Sequence, residues 1–95
     1  MQIQQQNDTL KGKFFIADNG HTIAELRYRW NDNLMIIEHT EVDPEHRKKG
    51  LGKQLVYFAV QYAGNNNIRI LPECDFTKSI LSNTEHYKDI LAESY

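Results

Sequence analysis

Cysteine is nearly absent from this 95-residue chain: Cys74 is the only one, so no intrachain disulfide can form. A domain of this size without a crosslink suits a reducing compartment, and the cytoplasm is the expected location. Proline is scarce too, at two residues, and no Pro-rich linker divides the chain. No apolar run approaches the roughly 20 residues of a membrane span, and residues 1–6 have neither the basic start nor the apolar stretch of a leader. Positive charge is not in excess: 11 Lys and Arg face 13 Asp and Glu, a formal charge of -2, unlike the basic field of a general nucleic-acid binder. Neither a nucleic acid nor a membrane is expected as a partner. The length suffices for one hydrophobic core, so a single domain over residues 1–95 is expected.

What is present begins as β structure. Asn7-Asp8-Thr9 matches a glycosylation acceptor, but without a leader it reads as a polar entry to the first strand. Leu10 to Ile16 reads as that strand, and Asn19-Gly20 as a tight hairpin turn. Ala24, Leu26, Tyr28 and Trp30 then alternate with Glu25, Arg27 and Arg29, the pattern of a half-buried strand with one charged face. A turn at Asn31-Asp32-Asn33 leads to Leu34–Val42, whose β-branched content suits a central strand. The period then changes. Leu51, Leu55, Phe58, Ala59 and Tyr62 recur at helical spacing, Gly64-Asn65-Asn66-Asn67 stops the helix, and Ile68–Leu71 reads as a fourth strand ended by Pro72. Short helices follow from Asp75, with a new start near Thr84. The fold class is α+β with a β-α-β step in its middle.

The segment between strand and helix carries the chemistry. Arg47, Lys48, Lys49 and Lys53 surround Gly50 and Gly52 where a helix should begin. Unpaired backbone N–H groups and the helix dipole favour an anion there, whereas cations are mildly unfavourable at a helix start unless an anion is present. A phosphate-bearing ligand is therefore expected. Neither common phosphate loop fits: a Walker loop needs Gly where Arg47 stands and Ser or Thr where Gln54 stands, and the dinucleotide fingerprint needs Gly at Leu55.

Arg47-x-x-Gly50-x-Gly52, after a strand ending at Val42 and opening an amphipathic helix, resembles the acetyl-CoA signature of the Gcn5-related N-acetyltransferase (GNAT) superfamily. A wider pattern is similar to its small, stand-alone YjdJ-type members. It comprises His39-Thr40-Glu41-Val42, Cys74 after a Pro72-bearing strand end, Phe76, and His86-Tyr87, with Asp75 where a second proline is usual. The resemblance implies a minimal GNAT-like fold: a three-stranded antiparallel meander, a helix, a fourth strand parallel to the third, and short C-terminal helices. It implies acetyl-CoA as donor substrate and an amine as acceptor. It places Glu41, Val42 and Asp43 at the pantetheine arm, and Arg47, Lys48, Lys49, Gly50, Leu51, Gly52 and Lys53 at the pyrophosphate. Asn19-Gly20 should close the gap that a helical pair fills between the first two strands of larger relatives, leaving an open acceptor site suited to a macromolecular or loosely selected amine. A non-catalytic CoA-binding or regulatory module remains the alternative. Binding of the basic loop to RNA or an acidic protein would need more positive charge elsewhere.

Acetyl transfer needs a polarised carbonyl, a base for the attacking amine and an acid for the departing thiolate. The resemblance assigns the carbonyl contact to backbone near Glu41 and Val42, where the strand bulges. His39 is the first candidate base, placed by alternation on the face of Met35 and Ile37, and it reads equally well as a core or rim histidine. Glu38 or Glu41 acting through water competes, Glu41 being nearer the cofactor. His46 and His86 are weaker candidates, the first expected to be solvated in the loop and the second to fix the C-terminal helix. Cys74 could accept the acetyl group, reprotonate the CoA thiolate, or serve only as a small buried apolar residue. His39, His46, Cys74 and His86 lack the close pair spacings of a zinc site, so no metal is expected. Tyr57, Phe58 and Tyr62 read as core or helix flank.

Overall fold

The computed structural model describes residues 2–82, 90 and 91. Its elements run β1 (Ile3–Asn7), β2 (Lys11–Asp18), β3 (His21–Asn31), β4 (Leu34–Val42), a 3-10 turn (Pro44–His46), α1 (Leu51–Asn65), β5 (Arg69–Pro72) and α2 (Asp75–Ser82). The strands form one sheet in the order β1-β2-β3-β4-β5, antiparallel except for the parallel pair β4 and β5. That is the α+β arrangement expected, with one strand added at the front. The second C-terminal helix, with Thr84, His86 and Tyr87, falls outside the described residues. No helix among the described residues is long and apolar enough to cross a membrane.

The added strand β1 corrects the reading of Asn7-Asp8-Thr9 as a strand entry. Gln4, Gln5 and Gln6 have no apolar alternation, so propensity gives no signal, and backbone pairing to β2 together with one side-chain clasp makes the strand. Tyr28 of β3 is buried, and its side chain passes over β2 at Gly12. Its hydroxyl donates to Asn7 Oδ1 at 2.8 Å and accepts from Gln5 Nε2 at 2.9 Å, while Trp30 Nε1 donates to the same Asn7 oxygen at 2.8 Å. Burial raises the Tyr28 hydroxyl's pKa, only partly offset by the Gln5 hydrogen bond. The gap between the first two strands is therefore closed at Asp8-Thr9-Leu10, not at Asn19-Gly20. Asp8 Oδ1 accepts from the Leu10 and Lys11 amides at 2.8 and 2.9 Å, holding that turn. Asn19-Gly20 joins β2 to β3, and both residues have positive φ, 51° and 80°, as a type I′ hairpin requires.

Residues opposite one another across the sheet share a face, and one face carries the core. Phe14, Ile16, Ala24, Leu26, Tyr28, Met35 and Ile37 meet Leu51, Leu55, Val56, Ala59, Val60 and Ala63 of α1 and Ile80 and Leu81 of α2. The buried stripe of α1 is rotated from the expected one. Phe58 and Tyr62 lean over the edge of Phe14 in T-shaped contacts at 5.2 and 5.3 Å, while Val56, Val60 and Ala63 take the centre. The helix also runs through Gly64 and Asn65. It ends at Asn66 and at Asn67 in the left-handed region, where the Ile68 amide closes onto the Ala63 carbonyl. The opposite face of the sheet carries Lys11, Lys13, Glu25, Arg27 and Arg29.

Candidate functional site

The site lies where the parallel pair comes apart. The β4–β5 register runs from Leu34↔Arg69 to Ile37↔Pro72 and stops there. Glu73 and Cys74 then both donate their amides to the Ile37 carbonyl, at 2.9 and 3.1 Å, as the chain turns into α2. Among the described residues, 38–42 of β4 continue alongside β3 alone, and the edge they present there suits an extended ligand.

At the same point β4 contains a bulge. Tyr28 faces Ile37 and Arg27 faces His39, so Glu38 is an extra residue in the strand. The bulge sits at Glu38, earlier than the Glu41–Val42 stretch expected from the resemblance. One inserted residue also reverses the alternation beyond it, which corrects the placement of His39. Thr40 and Val42, opposite Leu26 and Ala24, now occupy the core face, whereas His39 and Glu41, opposite Arg27 and Glu25, occupy the charged face. His39 is accordingly not beside Met35 and Ile37. Its side chain is 45% exposed, with Nε2 3.5 Å from Glu41 Oε2. Glu38 is held instead by Arg29 at 2.8 Å, in a pair that also takes in Glu73 at 3.0 Å.

Helix α1 opens onto this split without a cap. Gly50 occupies the N-cap position at φ 74° with no side-chain cap hydrogen bond among the described residues, and the first turn holds no acidic residue. Lys48 also takes a positive φ of 69°, an uncommon conformation for a lysine. Arg47 folds back so that its Nε donates to the Val42 carbonyl at 3.3 Å, tying the loop to the end of β4. The resulting cleft, about 650 Å³, is lined by His39, Glu41 and Val42 from the strand and by Arg47, Lys48, Gly50, Leu51, Gly52 and Lys53 from the loop and helix. Asp43 and Lys49 do not line it. The Asp43 amide is bonded to the Ile23 carbonyl at 2.8 Å, and its side chain borders a small hollow on the β3 side.

Three further residues line the cleft: Thr40 and Phe76, to which the sequence assigns no site role, and His46, a weaker candidate there. Thr40 reaches the cleft because the bulge turns it inward. Phe76, on the first turn of α2, forms one wall, and a β-carbon at Gly52 would lie 2.8 Å from its ring. His46 is not solvated as expected. Its side chain is 19% exposed and also lines the cleft, with a buried Nδ1 that has no hydrogen-bond partner among the described residues and lies 3.7 Å from Asp43. The alternating β-pattern and the helical spacing both miss such positions, because each depends on a break in periodicity.

Cys74 stands just behind this wall, at the N-terminal end of α2, where its carbonyl accepts from the Lys78 amide at 2.9 Å. Its Sγ lies 3.7 Å from Thr40 Oγ1, and that hydroxyl is 3.4 Å from the fully buried Thr77 Oγ1. Burial pushes the thiol pKa up, but hydrogen bonds from the Thr77 amide, the Thr40 and Thr77 hydroxyls and the Phe76 amide outweigh it and hold the thiol below its ordinary value. Two consequences follow for pH. The native state gives up this proton more readily than the unfolded chain, so the linked stability is present above the unfolded pKa and is lost as pH falls through the native one. Alkylation by iodoacetamide should reach its half-maximal rate at a lower pH in the native protein than in the urea-unfolded chain. Coincident pH midpoints would contradict the bonding around Sγ.

No group of three or more His, Cys, Asp or Glu side chains gathers in a metal-binding arrangement among the described residues. The family model for GCN5-related N-acetyl-transferases matches residues 13–90. No curated protein sequence matches the chain. Among solved structures, a GCN5-like protein from Staphylococcus aureus is 32% identical at a TM-score of 0.74, with 99% of this chain and 90% of that one covered. Two more distant likenesses share the fold. One is an aminoglycoside N-acetyltransferase in complex with CoA, 14% identical at TM-score 0.63, covering 99% of this chain and 98% of that one. The other is a Bacillus anthracis structure described as a streptothricin acetyltransferase in complex with acetyl coenzyme A. It is 23% identical at TM-score 0.61, covering 81% of this chain and 47% of that one.

Proposed function

The chain belongs to the GCN5-related N-acetyltransferase family, and on that premise we propose that it binds acetyl-CoA in the cleft between β4 and α1 and transfers the acetyl group to an amine. The observation that carries this reading is the uncapped, cation-flanked start of α1 facing the split between β4 and β5. Free amides of the first turn and the charges of Arg47, Lys48 and Lys53 suit a pyrophosphate, and Lys49 adds charge from the same loop. The exposed backbone edge of Glu41 and Val42 suits the amide-bearing pantetheine arm, with Asp43 at its end. CoA and acetyl-CoA in the two distant structures of the same fold support this choice of donor.

His39 and Glu41 line the cleft from the charged face of the sheet. In the direct route the acceptor nitrogen attacks the thioester carbon, an amide of the bulged stretch near Glu38 polarises the carbonyl, and His39 takes the amine proton with Glu41 orienting its ring. The C–S bond then breaks and the CoA sulfur takes up a proton. A second route has its own observation in the lowered Cys74 thiol beside Thr40: the thiolate attacks the thioester carbon and expels the CoA thiolate, and the acceptor amine then attacks the new thioester, forming the amide, giving up a proton and releasing the Cys74 sulfur.

Titration with acetyl-CoA should shift the amide resonances of Gly50 and Gly52, and His39→Gln should lower kcat on a panel of amines about a hundredfold while those shifts persist. Unperturbed Gly50 and Gly52 amides would refute the cofactor site. Shifts without acetylation of any amine would leave a CoA-binding module. An acetyl adduct on the intact protein that disappears in Cys74→Ala would assign the route to the thiol.

A further inference from the structure

The charged face of the sheet is uncovered by either helix, and its side chains line up across the strands in rows. Lys13, Arg27 and His39 form one row, because Lys13 is opposite Arg27 and Arg27 is opposite His39. Phe15, Glu25 and Glu41 form the next. Directly opposed like charges such as Lys13 and Arg27 are unfavourable unless something neutralises them. An open groove of about 1000 Å³ runs over this face, lined by Lys11, Lys13, Glu25, Arg27, Glu38 and His39 among others. His39 lines both this groove and the cofactor cleft.

Two carboxylates of the groove are held by the protein, and two of its cations have no carboxylate partner among the described residues. Asp8 is bound by the turn amides of Leu10 and Lys11, and Glu38 by Arg29. Lys13 rests its Nζ 5.1 Å over the Phe15 ring, and neither Lys13 nor Arg27 makes an ion pair among the described residues. Glu25 remains, and it lies directly opposite Glu41 in the next row. The groove thus presents a positive pair, Lys13 and Arg27, and, two residues further along the strands, Glu25, with Glu41 beyond it lining the cofactor cleft. At about 3.3 Å per residue the two rows are roughly 7 Å apart.

We infer that the acceptor is an amine carrying a carboxylate, bound across the open sheet face with its carboxylate on Lys13 and Arg27 and its ammonium between Glu25 and Glu41 beside His39. This rests on the acetyl-transfer reading above and adds the acceptor's chemical class to it. A glutamate next to a free N-terminus has about the required separation of charges, whether it belongs to a small molecule or to a polypeptide.

The test compares C-terminally amidated glycyl-glutamate and glycyl-glutamine, which differ only in the anion, binding to the CoA-saturated protein and followed through the Arg27 and His39 amide shifts. The expected ratio of dissociation constants is on the order of fivefold in favour of glutamate, falling to near unity in Lys13→Gln/Arg27→Gln and persisting in Arg27→Lys. A wild-type ratio within twofold, or one that survives in the double Gln variant, would overturn the inference. The shifts that CoA itself causes at Gly50 and Gly52, recorded as the same samples are saturated with it, separate that result from a failure of the cofactor site and report that the variants are folded. An octapeptide with the same first two residues distinguishes the sources: tighter binding than the dipeptide assigns a polypeptide acceptor, equal binding a small one.

Discussion

Gly12→Ala is expected to destabilise the fold by about 2–3 kcal/mol, a fall in Tm of roughly 10–20 °C for a chain of this length, read by thermal melting. The added methyl would collide with the Tyr28 hydroxyl and lie 2.7 Å from the Gln6 carbonyl oxygen. The first contact pushes a fully packed ring away from its bonds with Gln5 and Asn7. The second is to backbone, which cannot swing aside as a flexible side chain would. Tyr28→Phe in the same chain should therefore not rescue it, because the Gln6 contact remains. A loss below about 1 kcal/mol would contradict the close passage of Tyr28 over β2.

The largest expected effect on ligand binding comes from Gly52. Gly52→Val should weaken acetyl-CoA binding by about one to two orders of magnitude, measured by titration calorimetry. From the sequence, the reason for glycine here would be close approach of a phosphate to the backbone. The structure adds a nearer obstacle: a β-carbon would lie 2.8 and 2.9 Å from two atoms of the Phe76 ring and 3.7 Å from Val42. The ring is the exposed end of a side chain and can move, and the space open to it is the cleft. Gly52→Val/Phe76→Ala is then expected to recover most of the affinity. Full binding by Gly52→Val alone would remove acetyl-CoA from this loop, and no recovery in the double variant would show that the valine itself obstructs the ligand.

These two glycines mark how far the sequence could be read. The hairpin turns, the alternating β3, the change of period at Leu51 and the basic loop are local patterns, and they were enough for the α+β order and its β-α-β step, while the resemblance implied the parallel pairing of β4 and β5. Gly50 and Gly52 were legible because two glycines among cations at a helix start have a physical meaning of their own. Strand β1 was not legible, because three glutamines become a strand through backbone pairing to β2 and the clasp of Tyr28, which is distant in sequence. The face of His39 was not legible either. Alternation is reliable until a residue is inserted, and nothing in Ile37-Glu38-His39 announces the bulge. Thr40 and Thr77 are polar residues in ordinary positions until the bulge and the start of α2 bring their hydroxyls beside the Cys74 thiol.

The clasp between Tyr28 and β1 also orders events in time. β2 to β5 share the core with both helices, whereas β1 pairs only with β2 and contributes to that core only through the partly buried Ile3. The hydroxyl it bonds to is in place only once Tyr28 lies across Gly12, which requires β2 and β3 to be in register already. These contacts make β1 the strand expected to dock last and leave first, its departure expected to open the sheet's edge and to leave the β4–α1 cleft at the far side intact.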